Sequence, residues 1–236
     1  MQQDNPIKNQ ATEEISAIPQ TVIQVITNPA AFFRAMPRTG GFLRPLVFMV
    51  IMGTVGGFLQ ALLSLVGLST GGLVSGVAAI ILMPLLVTVF GFIGAAILFV
   101  IWKLMRSRHG FETAYRGMAY SAAITPITSI LGLLPYLGGI LGLVWMTYLL
   151  VVVSTQVHEI KAKTAWTGFG AIGAILILMT LSTEIAARKM ARGLENWQKE
   201  TGLNQKGLES LEDMSPEEAG RAVGKFLKGM SQESAE

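Results

Sequence analysis

Cysteine is absent from the 236 residues of the sequence. Its absence excludes disulfide bonds, thiolate metal ligands and a cysteine nucleophile. Charge is scarce as well, because Asp, Glu, Lys and Arg make up 14% of the residues. Three blocks, residues 45–102, 117–157 and 164–183, contain no acidic, basic or histidine side chain. Charge-free blocks of this length are typical of chains that cross a bilayer.

The residues that fill these blocks are apolar: 51% of the chain is hydrophobic and the mean hydropathy is +0.53. A bilayer core of roughly 30 Å requires about 20 helical residues, so the first two blocks each hold two helices and the third holds one. We therefore predict an all-α, polytopic membrane helix bundle for residues 45–187. Its five transmembrane helices are expected near residues 45–67, 73–104, 115–134, 137–157 and 165–186.

Polar segments flank this domain on both sides. Residues 188–236 form a tail in which acidic and basic residues are nearly balanced. Ser215 is followed by Glu218 at the spacing of a capping box, which predicts a soluble, helical tail. In residues 1–44, Asn28 and Pro29 predict the start of a short amphipathic helix, because they suit the N-cap and first helical position.

The N-terminal segment carries aromatic and basic side chains close to the first span. Phe32, Phe33, Arg34 and Arg38 in this arrangement are typical of an anchor on the membrane surface. Packing of the same helices on the ends of the spans is the alternative.

Basic residues near the membrane indicate the orientation of the bundle. The N-terminal segment and the loops after the second and fourth spans fall on one side, which carries Arg34, Arg38, Arg44, Lys103, Arg106, Arg108, Arg116, Lys161 and Lys163. By the positive-inside rule, we predict that the N-terminus is cytoplasmic and that the C-terminal tail lies on the exported side of the membrane. The basic cluster that starts at Arg188 argues weakly against this orientation.

Four ionisable residues in these loops are candidates for chemistry. His109, Glu112, His158 and Glu159 would suffice, by type, to hold a divalent metal. Their spacing does not fix how close they come, and ordinary solvated loop residues are the alternative. We therefore predict no catalytic, cofactor-binding or metal site, with these four as weak metal candidates. The interior of the predicted spans holds no ionisable residue, so a proton relay is not expected.

Several motifs together resemble a known family, over about residues 20–187. They are the Asn28-Pro29 start with its two phenylalanines, the stretch HGFETAYRGMAYSAAITPI, Trp145 in the fourth span, and His158. The chain is similar in these motifs to the Yip-domain membrane proteins, whose eukaryotic members are Rab-interacting, and it looks like a bacterial member.

The resemblance implies a five-span protein of the bacterial cytoplasmic membrane. It also marks Tyr115, Arg116, Tyr120, Pro126 and Trp145 as family-type positions. The cytosolic DLYGP motif of the eukaryotic members is absent, so Rab binding is not implied.

Three functions remain open from the sequence. The first is a non-enzymatic membrane scaffold or adaptor, with membrane lipids, a second copy or another membrane protein as partner, and without nucleic acid. The second is lipid transfer or small-solute permeation through the Gly-rich, proline-broken second and third spans. The third is a metal-dependent site on the cytoplasmic loops.

Overall fold

The computed structural model describes residues 6–68, 72–134 and 136–201, together with residues 215, 217, 218, 220, 221 and 224. Every regular element in this part of the chain is helical, which confirms the all-α part of the predicted fold class. The elements are α1 Pro6–Thr27, α2 Pro29–Ala35, α3 Leu43–Leu65, α4 Gly72–Leu104, α5 Phe111–Ser121, a 3-10 turn Ala122–Ile124, α6 Thr125–Leu131, α7 Leu137–Gln156 and α8 Ala162–Thr201.

Four helices of the described chain are long and apolar enough to cross a membrane: Leu43–Leu65, Val74–Leu104, Leu137–Gln156 and Ala162–Asn196. They correspond to the first, second, fourth and fifth predicted spans. At 1.5 Å per residue, the 33 residues of α4 extend about 50 Å, which exceeds a bilayer core of roughly 30 Å. The second span therefore crosses at a tilt or extends beyond the bilayer.

The third predicted span, residues 115–134, differs from the prediction. It is divided among α5, the 3-10 turn and α6, so a count of five long apolar helices is not confirmed. Pro126 explains the division, because its nitrogen has no proton to donate to the carbonyl of Ala122 and the α-helical ladder is interrupted there.

The hairpin of α3 and α4 is held by close backbone contact. A Cβ built on Gly53 would lie 2.7 Å from Cα of Pro84, and one built on Gly57 would overlap the carbonyl oxygen of Ala79. Small residues permit this approach, and packing at such contacts supplies the attraction between helices that lipid does not.

The divided segment runs beside α3 and in the same direction. The ring of Phe42, just before α3, lies 5.3 Å from that of Tyr115 near the start of α5. Further along, a Cβ on Gly56 would lie 2.8 Å from Cγ2 of Thr125, at the start of α6. Residues 111–131 therefore advance along α3 as far as its second half.

Helix α7 runs in the opposite direction to the divided segment, and α8 begins beside the end of α4. A Cβ on Gly142 in α7 would lie 3.1 Å from Thr128 in α6, whereas Gly117 in α5 faces Val153 near the end of α7 at 2.8 Å. Helix α7 is thus antiparallel to the divided segment. In α8, Gly168 lies beside Met105, which follows the last residue of α4, with a built Cβ 3.5 Å from its methyl group.

One end of the bundle consequently gathers the start of α3, the end of α4, the start of α5, the end of α7 and the start of α8. We name it the basic end, and it carries the nine basic residues Arg34, Arg38, Arg44, Lys103, Arg106, Arg108, Arg116, Lys161 and Lys163. The opposite end has the α3–α4 and α6–α7 connections.

Helices α1 and α2, with the linker of residues 36–42, form what we name the cap. The Asn28 side chain accepts a hydrogen bond from the Ala31 amide at 3.3 Å and Pro29 starts α2, as predicted. Helix α2 contacts α7, and α1 contacts the 3-10 turn. Val25 and Phe33 are 0% and 1% exposed within the apolar core. Phe33 is therefore a packing residue and not a membrane-surface anchor, which corrects that assignment.

The chain divides into two units, residues Met1–Ile177 and Leu178–Glu236, and the contacts above lie in the first. In the second unit, α8 continues past the predicted boundary at residue 187 to Thr201. Glu184 and Arg188 pair there at 3.2 Å. The Ser215 amide donates to the Glu218 carboxylate at 3.2 Å, which is one of the two hydrogen bonds of a capping box. The rest of the predicted helical tail lies outside the described residues.

Candidate functional site at the basic end

A buried polar network lies where α4 and α7 end. The imidazole of His158 stacks on the indole of Trp102, with ring centroids 4.0 Å apart and an interplanar angle of 22°. The indole Nε1 donates to Oγ of Ser154 at 2.8 Å. All three side chains are at most 4% exposed. Because buried polar groups are costly without partners, this network fixes the ends of the two helices against each other.

Ser107 connects the two histidines of the chain to this network. Its Oγ lies 2.7 Å from Nδ1 of His158 and accepts the backbone N–H of His109 at 3.3 Å. When the Ser107 hydroxyl donates its proton in this bond, Nδ1 of His158 is the acceptor. A neutral imidazole that accepts at Nδ1 carries its proton on Nε2. That Nε2 is buried and has no hydrogen-bond partner in the protein.

Arg38 joins the linker of the cap to the same cluster. Its Nη1 lies 2.8 Å from Nε2 of His109, donates to the carbonyl of Val157, and lies 3.5 Å from the Glu159 carboxylate. Arg34 likewise donates to the side chain of Gln156 at 2.9 Å. Both arginines, predicted as membrane-surface anchors, therefore bind the end of α7 and the loop after it.

A second, separate ion pair holds the linker to α5. Arg116 is 3% exposed, and its Nη1 donates to the Gly41 carbonyl at 2.9 Å. The Glu112 carboxylate accepts the Gly41 amide at 2.7 Å and lies 3.9 Å from Arg116. Thr113 donates to the carbonyl of Arg38 at 2.9 Å. One turn of α5 thus binds both ends of the segment 38–41.

The four weak metal candidates are divided between these clusters. The rings of His109 and His158 are 5.6 Å apart, and Glu159 is connected to them through Arg38. Glu112 belongs instead to the Arg116 pair. Within the described part of the chain, no group of three His, Cys, Asp or Glu residues is placed to hold a metal ion.

The remaining family-type positions are structural in different ways. Tyr115 is fully buried and stacks on Phe92 with centroids 4.3 Å apart. Tyr120 contacts Phe32 of the cap at 5.3 Å. Pro126 begins α6, and Trp145 lies 5.5 Å from Tyr148 in α7.

A family model described as Yip1 domain matches residues 23–183. The chain belongs to the Yip1 domain family. The match begins in α1 and ends in α8, so it includes most of the cap and the whole polar network of the basic end. The predicted family is thereby confirmed, and the apolar helices identify a multi-pass membrane protein. No curated protein and no solved structure matches the chain.

Three members of the network in this Yip1 domain protein were not singled out as site residues: Trp102, Ser107 and Ser154. Ser154 precedes His158 by one helical turn, and Trp102 ends the first charge-free block. A tryptophan at the end of a span and a serine one turn before a histidine suit a buried hydrogen-bonded cluster. The sequence pattern therefore contains an indication of this network.

The pKa of His158 is lowered to about 3, chiefly by burial and further by His109, Arg38 and Lys103. The pKa of His109 is lowered by burial, Arg38 and Lys103, against an opposing contribution from Glu159. The folded protein therefore disfavours the charged forms of both rings.

We expect acid to destabilise this Yip1 domain protein through His158. The unfolded chain binds a proton below pH 6.5 and the folded chain does not, so stability is complete above pH 6.5 and declines below it. Between pH 6.5 and 5, the loss attributable to this group is about 2 kcal/mol. Thermal unfolding in detergent across pH 5–8 measures it. The variant His158→Asn keeps an acceptor near Nδ1 and should show a shallower pH slope; an unchanged slope would refute the assignment.

Proposed function

We propose that this Yip1 domain protein is a non-enzymatic scaffold or adaptor of the cytoplasmic membrane, which acts in membrane organisation or trafficking by presenting its cap to partners. The observation that carries the proposal is the fixed attachment of the cap. Apolar burial of Val25 and Phe33 and the hydrogen bonds of Arg34 and Arg38 bind it to the ends of the spans. A rigid surface supports recognition, since little ordering entropy is lost on binding.

The exposed side of the cap offers a specific surface. A groove of about 450 Å³ lies between α1 and α2, and its lining includes Thr21, Gln24, Asn28, Ala31 and Phe32. Its mixture of polar and apolar groups suits a segment of a membrane-associated protein, because interfaces between proteins combine both kinds of contact.

The membrane path that we propose has five crossings. Residues 111–131 follow α3 in direction and reach its second half, so the divided segment serves as the third crossing despite its 3-10 turn. Its irregular backbone lies against α3 and α7, where contacts with protein make such geometry tolerable in a membrane. The excess of Lys and Arg supports a cytoplasmic location for the basic end and export of the tail.

Lipid transfer is the second candidate, and one observation favours it. An apolar groove of about 500 Å³ lies between α7 and the first part of α8, lined by Trp145, Tyr148 and Trp166 among others. A groove of this character in the plane of the bilayer could hold an acyl chain.

Purification in mild detergent from native membranes, followed by mass determination of the intact complex, tests the adaptor proposal. We expect a stoichiometric protein partner with the wild type and with Gln20→Arg, and reduced partner occupancy with Gln24→Arg. Both glutamines lie on α1 one turn apart, but Gln24 lines the cap groove and Gln20 does not. In liposomes, the adaptor should scramble lipid no faster than empty vesicles. A lone monomer that scrambles lipid would contradict the adaptor and support the alternative.

A further inference from the structure

The apolar groove between α7 and α8 has the length of one membrane leaflet. Along α8 it extends from Trp166 to Ile177, which at 1.5 Å per residue is about 16 Å, or half of a bilayer core of roughly 30 Å. Both helices are long and apolar enough to cross a membrane. Trp166, at the end of the groove nearer the basic end, is 51% exposed. The groove is therefore accessible from the acyl-chain region of the leaflet at the basic end.

Small residues of α8 account for the shape of the groove. A Cβ built on Gly173 would overlap Oγ1 of Thr147, so α7 and α8 are in contact at this point. A Cβ on Gly170, one turn nearer the basic end, would meet nothing closer than the Trp166 ring at 3.9 Å. The space over Gly170 is therefore open, and its volume of about 500 Å³ belongs to the groove.

One cation lies on the groove face of α8, just beyond the end of the groove. Lys163 precedes three groove residues at successive intervals of three, four and four positions, which places it on one helix face with Trp166, Gly170 and Ala174. Its side chain is exposed. Because side chains of a helix tilt toward its N-terminus, which here is the basic end, the Lys163 ammonium group extends to the level of the lipid headgroups.

Charge favours an anionic lipid as the occupant of the groove. Residues 160–183 contain no acidic side chain, and Glu159 pairs with Arg38 at 3.5 Å. The charge of Lys163 is therefore not offset along this part of α8. A second copy of the chain in the same membrane has the same orientation, so its α8 in the groove would bring two Lys163 side chains together, which repel each other. An anionic phospholipid instead places an acyl chain on the apolar lining and a negative headgroup beside the lysine.

We propose that this groove holds an acyl chain of one anionic phospholipid, whose headgroup binds Lys163. The inference requires only that α7 and α8 cross the membrane. It goes beyond both candidate functions, because a lipid that is held in one leaflet neither recruits a protein partner nor crosses the bilayer.

Quenching of tryptophan fluorescence by lipids with brominated acyl chains tests the groove, because Trp145 lines it. The full chain carries Trp166→Phe and Trp197→Phe, which leaves Trp145 and the buried Trp102. It is placed in phosphatidylcholine vesicles with increasing brominated phosphatidylglycerol or brominated phosphatidylcholine. We expect phosphatidylglycerol to bind roughly fivefold more strongly, the contribution of one lysine at a membrane surface. Equal binding of the two lipids would overturn the proposal. Absence of quenching by both would mean that protein, such as a second copy, covers the groove, and would also overturn it.

Two lysine variants separate the groove from general attraction to positive charge. Lys163→Gln should abolish the preference for phosphatidylglycerol, because it removes the cation on the groove face. Lys161→Gln is the control: this lysine is also exposed, but it lines the pocket between α4 and α8 and not the groove. Equal loss of preference in the two variants would contradict a headgroup site at Lys163.

Two leucine variants test the position of the acyl chain. Gly170→Leu fills the open part of the groove and should weaken quenching by both lipids. Ala171→Leu adds the same side chain at the next position of α8, which is exposed and does not line the groove, and should leave quenching unchanged. Unchanged quenching in Gly170→Leu would show that the chain does not lie in the groove. Partner capture and lipid scrambling are measured separately, so failure of this site is distinguishable from failure of either candidate function.

Discussion

Gly57→Ala is expected to lower the free energy of unfolding by about 2 kcal/mol or more. A Cβ at this position overlaps the Ala79 carbonyl oxygen and lies 2.9 Å from its carbon and 3.1 Å from Cα of Ile80. These are backbone atoms of α4, so the helices must separate to admit the methyl group. Thermal or SDS-induced unfolding of the purified protein measures the effect.

Replacement of a glycine by alanine in α8 is expected to raise the free energy of unfolding instead. In α8, a Cβ on Gly170 meets nothing closer than the Trp166 ring at 3.9 Å. Alanine there removes the helix-propensity cost of glycine, so Gly170→Ala should raise stability by up to about 1 kcal/mol. Equal effects at both positions would show that the α3–α4 backbone contact does not determine stability.

Arg116→Met is expected to release the linker of the cap. It removes the donor that binds the Gly41 carbonyl and leaves the Glu112 carboxylate without its nearest cation. Breaking a buried pair by removing one partner costs about 3–5 kcal/mol, and the 27% exposure of the Glu112 side chain places this case at or below the lower figure. Trypsin cleavage after Arg38 should become much faster, because cleavage of a folded chain follows local opening.

Two variants control this measurement. Arg108→Met removes an exposed arginine from the neighbouring loop and should leave cleavage at Arg38 unchanged. Combining Glu112→Gln with Arg116→Met should cost less stability than the sum of the two single changes, because the carboxylate no longer lacks a partner. Additive costs and unchanged cleavage would mean that the pair does not hold the linker.

The sequence was sufficient to predict the elements whose determinants are local. Charge-free blocks of adequate length located α3, α4, α7 and the membrane part of α8. The Asn28-Pro29 pair predicted the start of α2 because an N-cap acts on its own helix. Gly53 and Gly57 have the four-residue spacing of small residues that favours close helix packing, and both face the backbone of α4.

The structure differs from the predictions where contacts between residues that are far apart in sequence determine it. Pro126 divides the predicted third span, and buried Arg116 near the start of that span donates to a carbonyl that is 75 residues away in sequence. Phe33 has the spacing of a membrane-surface residue, and its burial follows from the docking of the cap on α7. The contact of Arg38 with Val157 joins residues 119 apart. Sequence spacing contains no information about such pairs.

The absence of cysteine permits a direct test of the five-crossing path on which the adaptor account depends. Single cysteines at Thr39, Leu68 and Ser215 represent the basic end, the opposite end and the tail. An impermeant maleimide is applied to intact and to permeabilised cells. The account predicts that Leu68→Cys and Ser215→Cys are labelled in intact cells and that Thr39→Cys is labelled after permeabilisation. Labelling of Ser215→Cys on the same side as Thr39→Cys would mean an even number of crossings and would contradict the divided segment as the third crossing.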